Sequence, residues 1–229
     1  MIIMHLFDNM KSKKNKKLYD TTVQLIEQKN ISNLRKRLKI LVVDDEDDAI
    51  YEVLKERQYE VYYKNDMTYA IETEPFDLIL MDVRGIAKRL KSSMEGFALA
   101  CEVKSKYPLK KVCCYSASVH KEITELLADN RIDAYFMKDL DVDKICNKID
   151  NLIQDYVDID KQWEVLRSIL IDNQINENDI QQIKTAYSEM FKKNDFSKLN
   201  EIIAGTMKNA TVLLNITASI LNLIKVLAV

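Results

Sequence analysis

The chain has 229 residues, 47% of them hydrophobic, with only 3 Gly and 2 Pro, so a sizeable core is available and helix should dominate. Its formal net charge of −2 excludes a general affinity for nucleic acid. The charge is uneven, because residues 1–39 hold ten Lys and Arg against three Asp and Glu, a local +7 that leaves −9 on the remainder.

In chain order, residues 1–38 read as a solvated basic arm with short helices at 18–28 and around 32–38. Contact with acidic lipid, nucleic acid or the chain's own acidic half is the alternative use of its lysines. The opening MIIMHLF is too short and too weakly apolar for a signal peptide. Residues 39–156 then alternate strand and helix patterns. Ile40-Leu41-Val42-Val43, Leu78-Ile79-Leu80-Met81, Val112-Cys113-Cys114-Tyr115 and Tyr135-Phe136-Met137 lack polar alternation, as strands buried on both faces of a parallel sheet do. A further strand is expected at Glu60-Val61-Tyr62-Tyr63, and helices at 49–56, 67–72, 95–107, 121–129 and 143–155. Repeated βα units with short connections imply a doubly wound five-stranded parallel α/β sheet, because right-handed crossovers put helices on both faces. Residues 157–229 show helical periodicity alone and read as a separate all-α region. Cys101, Cys113, Cys114 and Cys146 have no CxxC or Cys/His metal spacing and are expected to be reduced, in a cytoplasmic protein. His5 and His120 have no ligand partners at metal spacing and read as surface residues.

Polar residues close the apolar runs: Asp44-Asp45, Asp82, Ser116-Ala117 and Lys138. Ligands of an open parallel sheet bind outside the carboxyl ends of its strands, so these groups should meet in one crevice. Three crowded carboxylates repel one another unless a cation neutralises them, and a hard divalent ion with oxygen ligands does so. Taken singly, Asp44 and Asp45 also suit an N-cap, Asp82 a solvated strand end and Tyr135 a half-buried strand position.

ILVVDDE at 40–46, LILMD at 78–82, CYSAS at 114–118 and YFMK at 135–138 together resemble the receiver domain of two-component response regulators, over about half the chain. The resemblance implies a flavodoxin-like sheet of order 2-1-3-4-5 and a phosphoacceptor, not an enzyme with an external substrate. It implies phosphorylation of Asp82 by a histidine kinase or phosphotransfer protein, with Mg²⁺ held by Asp45, Asp82 and the carbonyl of Arg84, and Asp44 acting through water. Lys138 and Ser116 would contact the phosphoryl group, Ala117 would leave it room, and Tyr135 stands at the family's switch position. The chain departs from the pattern in two places. The stretch VRGIAKRLKSSME between Asp82 and Gly96 is longer than the family's loop and basic, and Lys138 is followed by Asp139 where the family carries Pro. A receiver-fold adaptor that works without phosphorylation is the alternative.

Helices are expected at 155–171, 178–192 and 196–227, without the basic face of a helix-turn-helix reader, so no specific DNA binding is expected. In 211–229, thirteen of nineteen residues are apolar, and Thr211, Asn215, Ser219, Asn222 and Lys225 form one polar stripe. Such a helix must be covered. The cover is expected to be a helical bundle that passes the signal to a protein target, or a homodimer. Membrane contact is the less favoured choice, because Asn215, Asn222 and Lys225 make spanning expensive.

Overall fold

The computed structural model describes residues 31–46, 49–90, 95–118, 121, 123–193 and 195–227. The helix expected at 18–28, most of the basic arm, His5 and His120 lie outside them. Five strands form one parallel sheet of order β2-β1-β3-β4-β5: β1 Lys39–Val43, β2 Glu60–Lys64, β3 Leu78–Asp82, β4 Lys111–Ser116 and β5 Ala134–Met137. The unalternating runs are the central strands, with every residue of β3 and β4 buried. Edge strand β2 is half-buried, as its alternating Glu, Tyr and Lys suggest.

The period-two alternation of a strand divides these residues between two cores. Ile40, Val42, Leu78, Leu80, Cys113 and Tyr115 face one cluster, while Leu41, Val43, Ile79, Met81, Val112 and Cys114 face the other. The first cluster packs against α1 Ile31–Arg35, α2 Ala49–Glu56 and α5 Val142–Val157. The second packs against α3 Glu95–Lys106 and α4 Ile123–Ala128. The approach of α3 depends on Gly96, where a Cβ would lie 1.8 Å from the carbonyl oxygen of Asp82.

The helix expected at 67–72 is instead an irregular segment ending in a 3₁₀ turn, Ala70–Thr73. Side chains take its amides before a helix can: Asp66 Oδ1 accepts from Met67, and Glu72 Oε1 accepts from Thr68 and Tyr69. With Pro75 close behind, too few residues remain to nucleate an α-helix against this competition.

Residues beyond α5 form α6 Ile159–Asp172, α7 Glu177–Lys193, α8 Ser197–Thr206 and α9 Ala210–Leu227. The helix expected at 155–171 is divided at Asp158, whose carboxylate caps Asp160 and Lys161. The helix expected at 196–227 is two helices. The chain turns extended at Met207, and Asn209 then caps the amides of Thr211 and Val212 at 3.1 and 3.2 Å. The polar stripe of α9 does not face solvent as a unit. Ser219 is buried among Ile216, Ile220 and Leu223, while Leu214 and Leu221 are exposed at 67% and 37%. Of α9, 33% is buried. One apolar cluster nonetheless runs without a break from the sheet through α5 to Trp163, Tyr187 and the buried side of α9.

The amino edge of the sheet is fastened by buried polar groups. Asp77 accepts from the Lys39 amide and the Tyr156 hydroxyl, each at 2.9 Å. Lys104 pairs with Asp133 at 2.7 Å. Lys110 donates to the carbonyls of Thr73, Glu74 and Phe76, closing the 3₁₀ segment onto the sheet.

Burial pushes the Lys110 ammonium down to about 8, against the opposing pull of Asp77 and Glu74. Between that value and the unfolded value of about 10.4, the unfolded chain holds a proton that the folded chain has released. The contribution of Lys110 to stability is therefore lowest below pH 8 and grows as pH rises through this window. Urea unfolding at about pH 7.5 and about pH 9.5 should show the wild type gaining about 1–2 kcal/mol relative to Lys110→Met. An equal change in both proteins would contradict it. Gly96→Ala should cost about 2 kcal/mol by overpacking. Gly205→Ala, whose Cβ would meet nothing within 4 Å in α8, should gain about 0.5–1 kcal/mol. Paired urea curves check both.

Candidate functional site

Parallel pairing in register brings the strand ends together. Val43 lies opposite Met81, Asp82 opposite Tyr115, and Ser116 opposite Met137. Asp44 and Lys138, one residue beyond β1 and β5, therefore stand on the same edge as Asp82 and Ser116. Lys138 bridges the two buried carboxylates, with Nζ 2.7 Å from Asp44 Oδ2 and 2.9 Å from Asp82 Oδ2.

Asp44 is the most constrained member. Its Oδ2 also accepts from the Tyr115 hydroxyl at 3.0 Å, its Oδ1 accepts the Glu46 amide at 3.1 Å, and its backbone carbonyl accepts from the Tyr63 hydroxyl. With three donors on one carboxylate, Asp44 acts as the anchor of Lys138. Asp82 keeps Oδ1 on the amide of Val83 at 2.6 Å. Burial pushes the Asp82 carboxyl above its usual range, with Lys138 opposing and Asp44 reinforcing the shift. Burial works to lower the Lys138 ammonium, but the hydrogen bonds and charges of Asp44 and Asp82 outweigh it and hold it above its ordinary value.

Asp45, Asp82, Arg84, Ser116, Ala117 and Lys138 line one cavity of about 260 Å³. Asp44 lines a second cavity that shares Lys138 with it, and Tyr135 donates to the carbonyl of Ser118, a lining residue, at 2.7 Å, with its ring 6.4 Å from that of Phe97. Ser116 is buried, and its Oγ accepts the amide of Ser118 at 3.3 Å. All eight residues singled out in the sequence are thus gathered at the carboxyl edge of the sheet. Asp44, Asp45 and Asp82 each place an oxygen within 4.8 Å of the others. An all-oxygen set with two buried carboxylates fits a hard divalent cation such as Mg²⁺.

Three participants were not singled out in the sequence. Tyr115 and Tyr63 read there as strand residues, and only pairing shows that their hydroxyls reach Asp44. Lys88 belongs to the basic loop that the sequence already marked out, and it pairs with Asp45 at 3.2 Å. Gly85 did leave a signal, being one of three glycines and close behind Asp82. Its φ is +78°, and a Cβ there would lie 2.0 Å from Asp45 Oδ1, so only glycine lets the loop pass that carboxylate.

No protein-family model and no curated protein matches the sequence. Solved structures do. A response regulator receiver domain protein (CheY-like) from Methanospirillum hungatei JF-1 is 23% identical over 52% of this chain and 95% of its own, with a TM-score of 0.43. The receiver domain of NtrX from Brucella abortus is 22% identical over 50% of this chain and 98% of its own, TM-score 0.41. A response regulator from Thermotoga maritima is 20% identical over 51% and 97%, TM-score 0.42. Each match covers about half of this chain. By its strand order and flanking helices, the portion from β1 to α5 has the flavodoxin-like fold.

Proposed function

We propose that this protein is a response-regulator-like phosphoacceptor, in which Asp82 takes a phosphoryl group from a histidine kinase or phosphotransfer protein. The observation that carries the reading is the Lys138 bridge between Asp44 and Asp82, at the rim of a cavity that also holds Asp45 and Ser116. A bond forms between an Asp82 carboxylate oxygen and phosphorus as the bond from phosphorus to the donor breaks. Lys138, already on Asp82 Oδ2, moves with little displacement onto a phosphoryl oxygen. The Ser116 hydroxyl supplies a second donor, and the small Ala117 leaves room. Asp45, Asp82 and the Arg84 carbonyl would hold Mg²⁺, which when bound supplies neutralisation of the carboxylates and of the incoming phosphoryl charge. The site is built to hold its own phosphoryl group, not to turn over an external substrate.

In this proposal the helices of 157–229 form the output region of a cytoplasmic protein. They pass the phosphorylation state to a protein target and self-associate as a homodimer, without DNA reading. The exposed Leu214 and Leu221 on α9 lie seven residues apart, on one side of the helix, and supply the apolar contact. A second reading, the phosphorylation-independent adaptor, is favoured by one observation. Lys138 and Lys88 between them already pair all three carboxylates, so the fold needs no ion to hold them.

Acetyl phosphate with Mg²⁺ should add one phosphoryl group, read by intact-mass spectrometry and lost in Asp82→Asn. Labelling that survives the substitution moves the acceptor elsewhere, and an unlabelled wild type leaves the adaptor reading in possession. For the output region, Leu214→Glu combined with Leu221→Glu should convert a dimer to a monomer in size-exclusion light scattering. Stability should change by no more than about 0.5 kcal/mol per surface site. A wild type that runs as a monomer ends the dimer proposal, and flotation of the wild type with liposomes would assign that face to a membrane.

A further inference from the structure

Building on the reading of this cavity as a divalent-ion and phosphoryl site, we propose that Lys88 is a tethered cation that occupies the ion subsite at Asp45 and sets the affinity of the site for divalent ions. The three carboxylates are divided between two lysines. Lys138 takes Asp44 and Asp82, while Lys88 Nζ lies 3.2 Å from Asp45 Oδ2.

The position of Lys88 is built by its neighbours. Ile86 and Ala87, just before it, are buried in the core beside the 3₁₀ segment. Ala87 has φ +54°, and its amide donates to Asp66 Oδ1 at 2.6 Å. Arg89, just after it, donates to the Thr68 carbonyl, pairs with Glu102 at 3.0 Å and lies over the Tyr69 ring at 4.7 Å. The backbone of Lys88 is therefore held on both sides, and its side chain meets Asp45 while that of Arg89 meets Thr68, Glu102 and Tyr69. Gly85 keeps the intervening chain clear of Asp45, so that the ammonium approaches the carboxylate without a Cβ in its way.

The consequence is competition by charge. A divalent ion that binds Asp45 must displace the Lys88 ammonium or sit beside it against like-charge repulsion. The Lys88 side chain is 65% exposed, so its pair with Asp45 is of the weak, screened kind and yields to an ion. A weak competitor lowers affinity without abolishing binding. The length and basic character of this loop would then tune the ion affinity of the site.

The test is calorimetric titration of the full chain with Mn²⁺, using wild type, Lys88→Ala, Lys88→Arg, Asp45→Asn and the Lys88→Ala/Asp45→Asn double variant. Lys88→Ala should bind Mn²⁺ about two- to fivefold more tightly, the range an exposed ion pair accounts for, and Lys88→Arg should stay near wild type. On the Asp45→Asn background, where binding is weaker, Lys88→Ala should change nothing. A merely structural role for Lys88 would not produce that dependence on Asp45. Affinity in Lys88→Ala equal to or below wild type, the same gain on the Asp45→Asn background, or no Mn²⁺ binding to any variant would each overturn the inference. Phosphoryl incorporation on the same preparations separates the two readings. Tighter Mn²⁺ binding without phosphorylation overturns the phosphoacceptor and keeps the tethered cation, whereas phosphorylation with unchanged Mn²⁺ affinity does the reverse.

Discussion

Crowding of three carboxylates at the carboxyl edge of the sheet is the constraint to which the rest of this structure answers. Asp44 and Asp82 are buried, and buried charge is stabilised only when every oxygen finds a donor. Lys138 supplies the shared positive charge, while Tyr115 and the amides of Glu46 and Val83 supply the remaining hydrogen bonds. These donors come from β4, from the β3 end and from the turn after β1, so the cluster holds its geometry only if the sheet register is kept. The register in turn rests on apolar strands whose alternate residues fill two different cores, so a slip by one would exchange the two sets and misfit both. Packing and site geometry are thus one requirement.

The opposite edge of the sheet answers a different need. There Asp77, Tyr156, Lys110 and the Lys104–Asp133 pair join strands β1, β3 and β4 to α3, α5 and the 3₁₀ segment. Gln162 of α6 donates to the carbonyls of Leu109 and Tyr156, and the Tyr187 hydroxyl of α7 donates to the carbonyl of Ile159. The helical region is therefore docked at the end of the sheet remote from the acidic cavity. Helix α5 connects the two, starting four residues after Lys138 and ending at the Asp158 cap where α6 begins. Its sixteen residues span about 24 Å at 1.5 Å per residue.

Much of this was legible because the strands and the polar residues that end them are local signals. A run such as Leu78–Met81 can only be a buried strand or helix, and its length and β-branched neighbours decide between them. Once the strands are placed, parallel order alone brings Asp44, Asp82, Ser116 and Lys138 to one edge. What escaped depends on contacts distant in sequence. The segment at 67–72 has helical spacing, yet Asp66 and Glu72 claim its amides and Lys110 its later carbonyls. The polar residues of α9 share a stripe on a helical projection, but neighbouring helices cover Ser219 and leave Leu214 open. The tyrosines on Asp44 come from strands β2 and β4, and no window of sequence contains them together with their partner.

The 3₁₀ segment that replaces a helix gains meaning from what it touches. At one end Asp66 Oδ1 receives the amide of Ala87 and the Thr68 carbonyl receives Arg89, so the loop carrying Lys88 is seated on it. At the other end the carbonyl of Glu74 receives both Lys110 and Asn222 of α9. Because the segment is irregular, its Thr68 and Glu74 carbonyls accept from groups outside it. The irregular segment offers them outward, and so lies in contact with the cavity loop on one side and the last helix on the other. Contact alone is not coupling, because a bound ion or phosphoryl group shifts this segment only through a different affinity for two of its arrangements.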